Sequence, residues 1–131
     1  MRETLSAEEK DALNEIALQR IAEEAEQRTG ILDLRDLGLT SLPPQLAELT
    51  HLEDLNIGSE FLPKKEANHI ADLALLSGLV KLRWLDFKCQ QVSSIQPLSG
   101  LLELEFIKMD ASSVRDLTPL SALGKLREIR C

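Results

Sequence analysis

Two blocks of this chain can be laid over each other residue by residue with an offset of 22 positions. Leu82, Leu85, Phe87, Val92, Ile95, Pro97, Leu98 and Leu101 fall on Leu104, Ile107, Met109, Val114, Leu117, Pro119, Leu120 and Leu123. Positions 1, 4, 6, 11 and 14 of each unit are apolar, so 4 and 6 alternate as in a strand, while the later apolar positions and the Pro-Leu pair turn the chain back. A unit of this kind cannot bury its apolar side alone. Stacked copies can, and the pattern therefore predicts a solenoid whose core forms between neighbouring units.

Composition fits such a core. The chain has 131 residues, 44% of them apolar but only 3% aromatic, so the interior must be aliphatic and the length suits one domain. No run approaches the roughly 18 apolar residues that span a bilayer, and the start Met1-Arg2-Glu3-Thr4-Leu5-Ser6 lacks the apolar region of a signal peptide, so we expect a cytoplasmic protein with no membrane association. Cys89 and Cys131, the two cysteines, make no disulfide framework and no metal-ligand spacing. No cofactor is expected. A net charge of −7 argues against nucleic acid as a partner, because neutralising phosphates needs a basic surface. The charge is uneven: residues 1–30 carry 4 basic and 8 acidic side chains, residues 31–80 carry 3 and 8, and residues 81–131 carry 8 and 6.

In chain order, Ser6-Ala7-Glu8-Glu9 has the form of a capping box. Leu13, Ile16, Ala17, Ile21 and Ala25 recur at helical spacing, with Glu15, Arg20, Glu23, Glu24 and Glu26 on the other face, and Gly30 suits a left-handed exit. This predicts a capping helix within residues 1–30 whose apolar stripe covers the first repeat. The repeats then occupy residues 31–131, beginning with Leu32 and Leu34 on a strand and Leu39 and Leu42 on the return, where Pro43 and Pro44 mark the turn onto the convex side.

The phrase Leu32-Asp33-Leu34-Arg35-Asp36-Leu37-Gly38-Leu39-Thr40-Ser41-Leu42-Pro43-Pro44-Gln45-Leu46, after an acidic helix, resembles the opening of bacterial leucine-rich-repeat proteins, some of them in the Roco family. Gln91-Val92-Ser93-Ser94-Ile95-Gln96-Pro97-Leu98-Ser99 and Ser113-Val114-Arg115-Asp116-Leu117-Thr118-Pro119-Leu120-Ser121 resemble the 22-residue internalin-like class. The resemblance implies an α/β right-handed solenoid of about five parallel strands on the concave side, with short 3₁₀ segments on the convex side. In Roco proteins the repeats precede a GTPase, but nothing in this chain resembles a phosphate-binding GxxxxGK[ST] loop, so no nucleotide chemistry is carried over.

The second repeat departs from the pattern. Leu52, Leu55 and Ile57 form its strand columns, and Ile70, Leu73, Leu76 and Leu79 its return, but twelve residues separate Ile57 from Ile70 where the next two repeats have four. The eight extra residues are placed at about 61–68, leaving the strand at the rim of the concave sheet, where insertions in repeat proteins commonly bind.

Outward-facing strand positions follow from the register. One column carries Ile31, Asp54, Trp84, Phe106 and Glu128, the next outward column Asp33, Asn56, Asp86, Lys108 and Arg130, and a third Arg35, Gly58, Lys88 and Asp110. Most of these positions are polar, and Trp84 and Phe106 stand out as aromatics at the same column of adjacent strands. Ringed by Asp86, Lys88, Lys108 and Asp110, and near Phe61, Lys64 and Lys65 of the insertion, they have the composition of an interface anchor within a polar rim. The alternative is that the two rings simply stack on each other, or that the insertion closes over them.

No catalytic arrangement emerges. Cys89 would need a base, and His51 and His69 lie in the preceding repeat with nothing to link them to it. Leu126, Ile129 and Cys131 begin a fifth repeat without a return segment, which leaves an open edge strand. Either the next residues of a longer chain cover that edge, or two copies meet there as a homodimer. The expected function is a non-catalytic interaction module binding a protein or peptide on the concave face. The alternative is a scaffold segment of a larger Roco-type signalling protein.

Overall fold

The computed structural model describes residues 5–59, 66–88, 92–109 and 114–130. Helix α1, Ala7–Gln27, starts at the expected capping box: the Ser6 hydroxyl accepts from the Glu9 backbone N–H, and the Glu9 carboxylate accepts from that of Ser6, both at 3.1 Å. It ends on Arg28, itself left-handed at φ 50°, with Gly30 left-handed at φ 86° two residues later. The helix exit therefore uses a non-glycine residue as well as the expected glycine.

Five short strands follow, β1 (Ile31–Asp33), β2 (Asp54–Asn56), β3 (Trp84–Asp86), β4 (Phe106–Lys108) and β5 (Glu128–Arg130), in one parallel sheet whose spatial order is the sequence order. The register pairs Leu32 with Leu55, Leu55 with Leu85, Leu85 with Ile107 and Ile107 with Ile129. These are the columns read from the periodicity. Backbone bonds such as Leu34 N–H to Asn56 O and Phe87 N–H to Lys108 O, at 2.8 and 2.9 Å, stitch each repeat to the next.

The convex side consists of 3₁₀ turns at Pro44–Glu48, Ala74–Leu76, Gln96–Leu98 and Thr118–Leu120. Three of them have a proline at the first or second position, where its fixed φ suits the turn and its missing N–H costs nothing. Asp72 and Asp116 accept from the backbone N–H two residues on and so cap two of the turns. Leu46, Leu76, Leu98 and Leu120 point inward from them and meet the strand leucines, so one aliphatic core runs the length of the stack. Each such leucine contributes about 1.5–3 kcal/mol by leaving water.

Three expectations are corrected here. The buried residues of α1 are Ala17, Ile21 and Glu24, with Leu13 partly buried beside them, whereas Ile16 is 38% exposed and Ala25 is exposed. A carboxylate on the packed face is tolerated because donors converge on it: Glu24 accepts from Thr29 Oγ1 at 2.5 Å and from the Gly30 N–H at 2.7 Å, and faces His51 Nε2 at 2.7 Å. Second, Asn68 and Ala67 are not part of a rim excursion but buried, and the Gly38 N–H bonds to the Glu66 carbonyl, so residues 66–68 pack back onto the first repeat. Third, Leu117 occupies the column of the buried Ile95 yet is 51% exposed. The fourth repeat covers Ile95, and no described return segment covers Leu117.

Candidate concave interface

The concave face is built from strand positions whose side chains alternate away from the core. Trp84 and Phe106 are paired across β3 and β4, as the register predicts. Their ring centroids lie 4.7 Å apart with planes 26° from parallel, a stack set by the strand spacing. Stacking does not bury them: Trp84 is 48% exposed, and Phe106 is partly exposed. Neither joins the aliphatic core. The Arg130 guanidinium lies 6.0 Å from the Phe106 ring on the β5 side, so that ring has a cation beyond it.

Around the pair, Asp86, Lys88 and Lys108 are half-buried on the same face. Structure brings these three together with Trp84 and Phe106. Asp110, Phe61, Lys64 and Lys65 lie outside the described residues, as do Cys89 and Cys131. His51 is engaged with Glu24 at the cap, and the backbone N–H of His69 bonds to Leu39 O at 2.7 Å.

Sequence reading missed a second role for the polar column. Asp33, Asn56 and Asp86 each accept from the backbone N–H two residues on, at Arg35, Gly58 and Lys88, at 3.0–3.1 Å. These side chains shape the end of each strand as well as the surface. Lys108, next in the column, cannot accept, so the series stops at β3. Gly58 is part of the same construction, because a Cβ there would lie 2.8 Å from Asp86 Oδ1 and 2.9 Å from the Lys88 nitrogen. The signal was present as Asx-x-x spacing at the ends of the first three strands.

The electrostatics run from acidic to basic across the sheet. Asp33 is held below the ordinary carboxylate range because hydrogen bonds and charge from Arg35 outweigh its desolvation. Asp54 is pushed above it, first by burial and then by the like charges of Asp33 and Asp86 on the flanking strands. On the far side lie Lys88, Lys108 and Arg130, the last ion-paired with Glu128 at 2.8 Å. Below the rim, Arg83 binds Glu105 at 2.5 Å and lies 3.7 Å from Glu53, linking three successive repeats.

Asn68 is the other residue missed as a working part, and it is wholly structural. Its Nδ2 donates to the carbonyls of Leu34, Ile57 and Gly58 at 2.9–3.2 Å, and its Oδ1 accepts from the Leu37 and Leu39 N–H groups at 3.0–3.1 Å. One amide lies within hydrogen-bond distance of five backbone groups where the chain leaves two adjacent strands, its two N–H protons shared among the three carbonyls. The clue was the Asn-x-apolar spacing of the repeat pattern, displaced by the insertion.

No protein-family model matches this chain, and no curated protein matches it. Among solved structures it is similar to internalin C2 from Listeria monocytogenes, with 30% identity and a TM-score of 0.51 over 68% of this chain. The match covers 36% of the internalin C2 chain, so this protein spans little more than a third of that length. It supports leucine-rich repeats as such and extends neither to the Roco resemblance nor to the 22-residue repeat length. Parallel strands in sequence order, 3₁₀ returns, a capping helix and this likeness together make the chain a leucine-rich-repeat solenoid.

Proposed function

We propose that the protein is a non-catalytic interaction module that binds a protein or peptide on its concave face, centred on Trp84 and Phe106. The observation that carries this reading is an exposed aromatic pair in the middle of a largely polar face, outside the core and rimmed by Asp86, Lys88 and Lys108, with Ile31 exposed at the β1 edge of the same column. Large aromatics in a polar rim are the usual energetic centre of a protein interface, and a concave repeat face is the surface solenoids use for binding. The stack also loses little on binding, because each ring already limits the freedom of the other.

The test is affinity capture from a source extract with the native chain and with a Trp84→Ala, Phe106→Ala variant, followed by titration of each retained protein. An anchor role for Trp84 predicts a loss of about 2 kcal/mol, or roughly thirtyfold in Kd, with the fold retained by circular dichroism. Identical binding by the two proteins would overturn it.

A further inference from the structure

The Trp84 indole has two faces, and among the described residues the one ring stacked on it is Phe106. Phe106 stacks on the face toward β4, so the opposite face is turned toward β2, where the register places Asp54 beside Trp84. Across the sheet the register runs Asp54, Trp84, Phe106, Glu128, and the Arg130 guanidinium, ion-paired with Glu128 at 2.8 Å, lies 6.0 Å from the Phe106 ring centroid. The Phe106 end of the stack already has a guanidinium beyond it. At the Trp84 end no described cation occupies the corresponding place.

The carboxylates near that open face differ in their commitments. Asp33 is paired with Arg35, and Asp86 accepts from the Lys88 backbone N–H. The Asp54 carboxyl has no hydrogen-bond donor among the described residues, although it lies partly buried between the other two. Partial burial beside two like charges leaves it above the ordinary carboxylate range, which is the condition a neighbouring positive charge would relieve.

We propose that the space between Asp54 and the open face of Trp84 is a slot for an arginine side chain of the bound protein or peptide. A guanidinium is planar, so it stacks on the indole while its N–H groups reach the Asp54 carboxylate. Its charge answers the carboxylates of Asp33, Asp54 and Asp86, whereas Lys108 on β4 repels it and Arg130 on β5 is already ion-paired with Glu128. That asymmetry sets the direction in which a partner lies across the strands, with its arginine over β2 and β3. The proposal rests on the concave face being the binding surface, and it adds the chemistry of what is bound there.

Trp84 is the single tryptophan, so its emission reports the slot directly. Titrating the intact protein with tri-arginine should give a saturable change in emission. Tri-citrulline, of nearly the same shape but neutral, should bind at least tenfold more weakly. Asp54→Asn should weaken tri-arginine binding at least tenfold, while Glu15→Gln on the exposed face of α1 removes the same charge and should leave it within twofold. An equal response to tri-citrulline, or equal losses from the two charge removals, overturns the slot and identifies the effect as general attraction to an acidic protein. If tri-arginine fails while the Trp84→Ala, Phe106→Ala variant still loses captured partners, the slot is wrong and the concave interface stands.

Discussion

His51 Nε2 lies 2.7 Å from Glu24 Oε2, which joins the base of the second repeat to the capping helix through two side chains that are both at least nine-tenths buried. The carboxylate can only accept, so Nε2–H donates, and Nδ1 is left without a partner among the described residues. Desolvation alone would raise the Glu24 carboxyl, but hydrogen bonds from Thr29, His51 and Gly30 outweigh it and hold the group below its ordinary value of 4.5. Ionised Glu24 is thus favoured by folding. Its contribution is fully present above pH 4.5 and is lost as pH falls through the lower folded value. Glu24→Gln should cost on the order of 1–3 kcal/mol at pH 7, and the gap between variant and native chain should narrow on acidification below pH 4.5. Urea unfolding of both proteins at pH 7 and pH 3.5 checks this, and a gap independent of pH would refute the linkage.

Asn68→Ala leaves the carbonyls of Leu34, Ile57 and Gly58 and the N–H groups of Leu37 and Leu39 without the amide. A buried unsatisfied group costs about 1–3 kcal/mol, so the variant should lose at least about 3 kcal/mol in urea unfolding. Asn68→Asp should be no better, because it keeps the acceptor, removes the donor and buries a charge. A loss below 1 kcal/mol would mean that water replaces the amide.

Gly58→Ala should destabilise the chain by about 1–3 kcal/mol, since the added Cβ would meet the Lys88 backbone nitrogen at 2.9 Å and that atom cannot swing away. Gly100→Ala is the control. A Cβ there meets nothing within 4 Å, so its melting temperature should match the native protein or rise slightly.

Leu98 and Leu117 are both leucines of the repeat pattern, but Leu98 is fully buried and Leu117 is 51% exposed. Leu98→Ala should cost about 2–5 kcal/mol through lost burial and the cavity left behind. Leu117→Ala should stay within about 1 kcal/mol, because water already reaches much of that side chain. Comparable losses in thermal unfolding would show that Leu117 is covered in solution.

The pairing of Trp84 with Phe106 was legible before any coordinates, because strand columns repeat at a fixed offset and a one-residue slip would send Leu85 and Ile107 to the wrong face. Glu24 was not. Helical spacing placed it among Glu15, Glu23 and Glu26, and only the return of Thr29, Gly30 and His51 to one point makes its burial tolerable. Asn68 was hidden in a different way, since the insertion shifts it from its column and its five partners come from two separate repeats.

Apolar periodicity alone therefore determined the stack of strands, the inward leucine columns and the outward position of the aromatic pair, since which side of a pleated strand a residue takes is a local matter of alternation. Only the folded arrangement decided which polar groups enter the interior and which leucine stays wet. A polar group can be buried where donors and acceptors from distant parts of the chain meet it, and a leucine is dry only where another repeat lies over it.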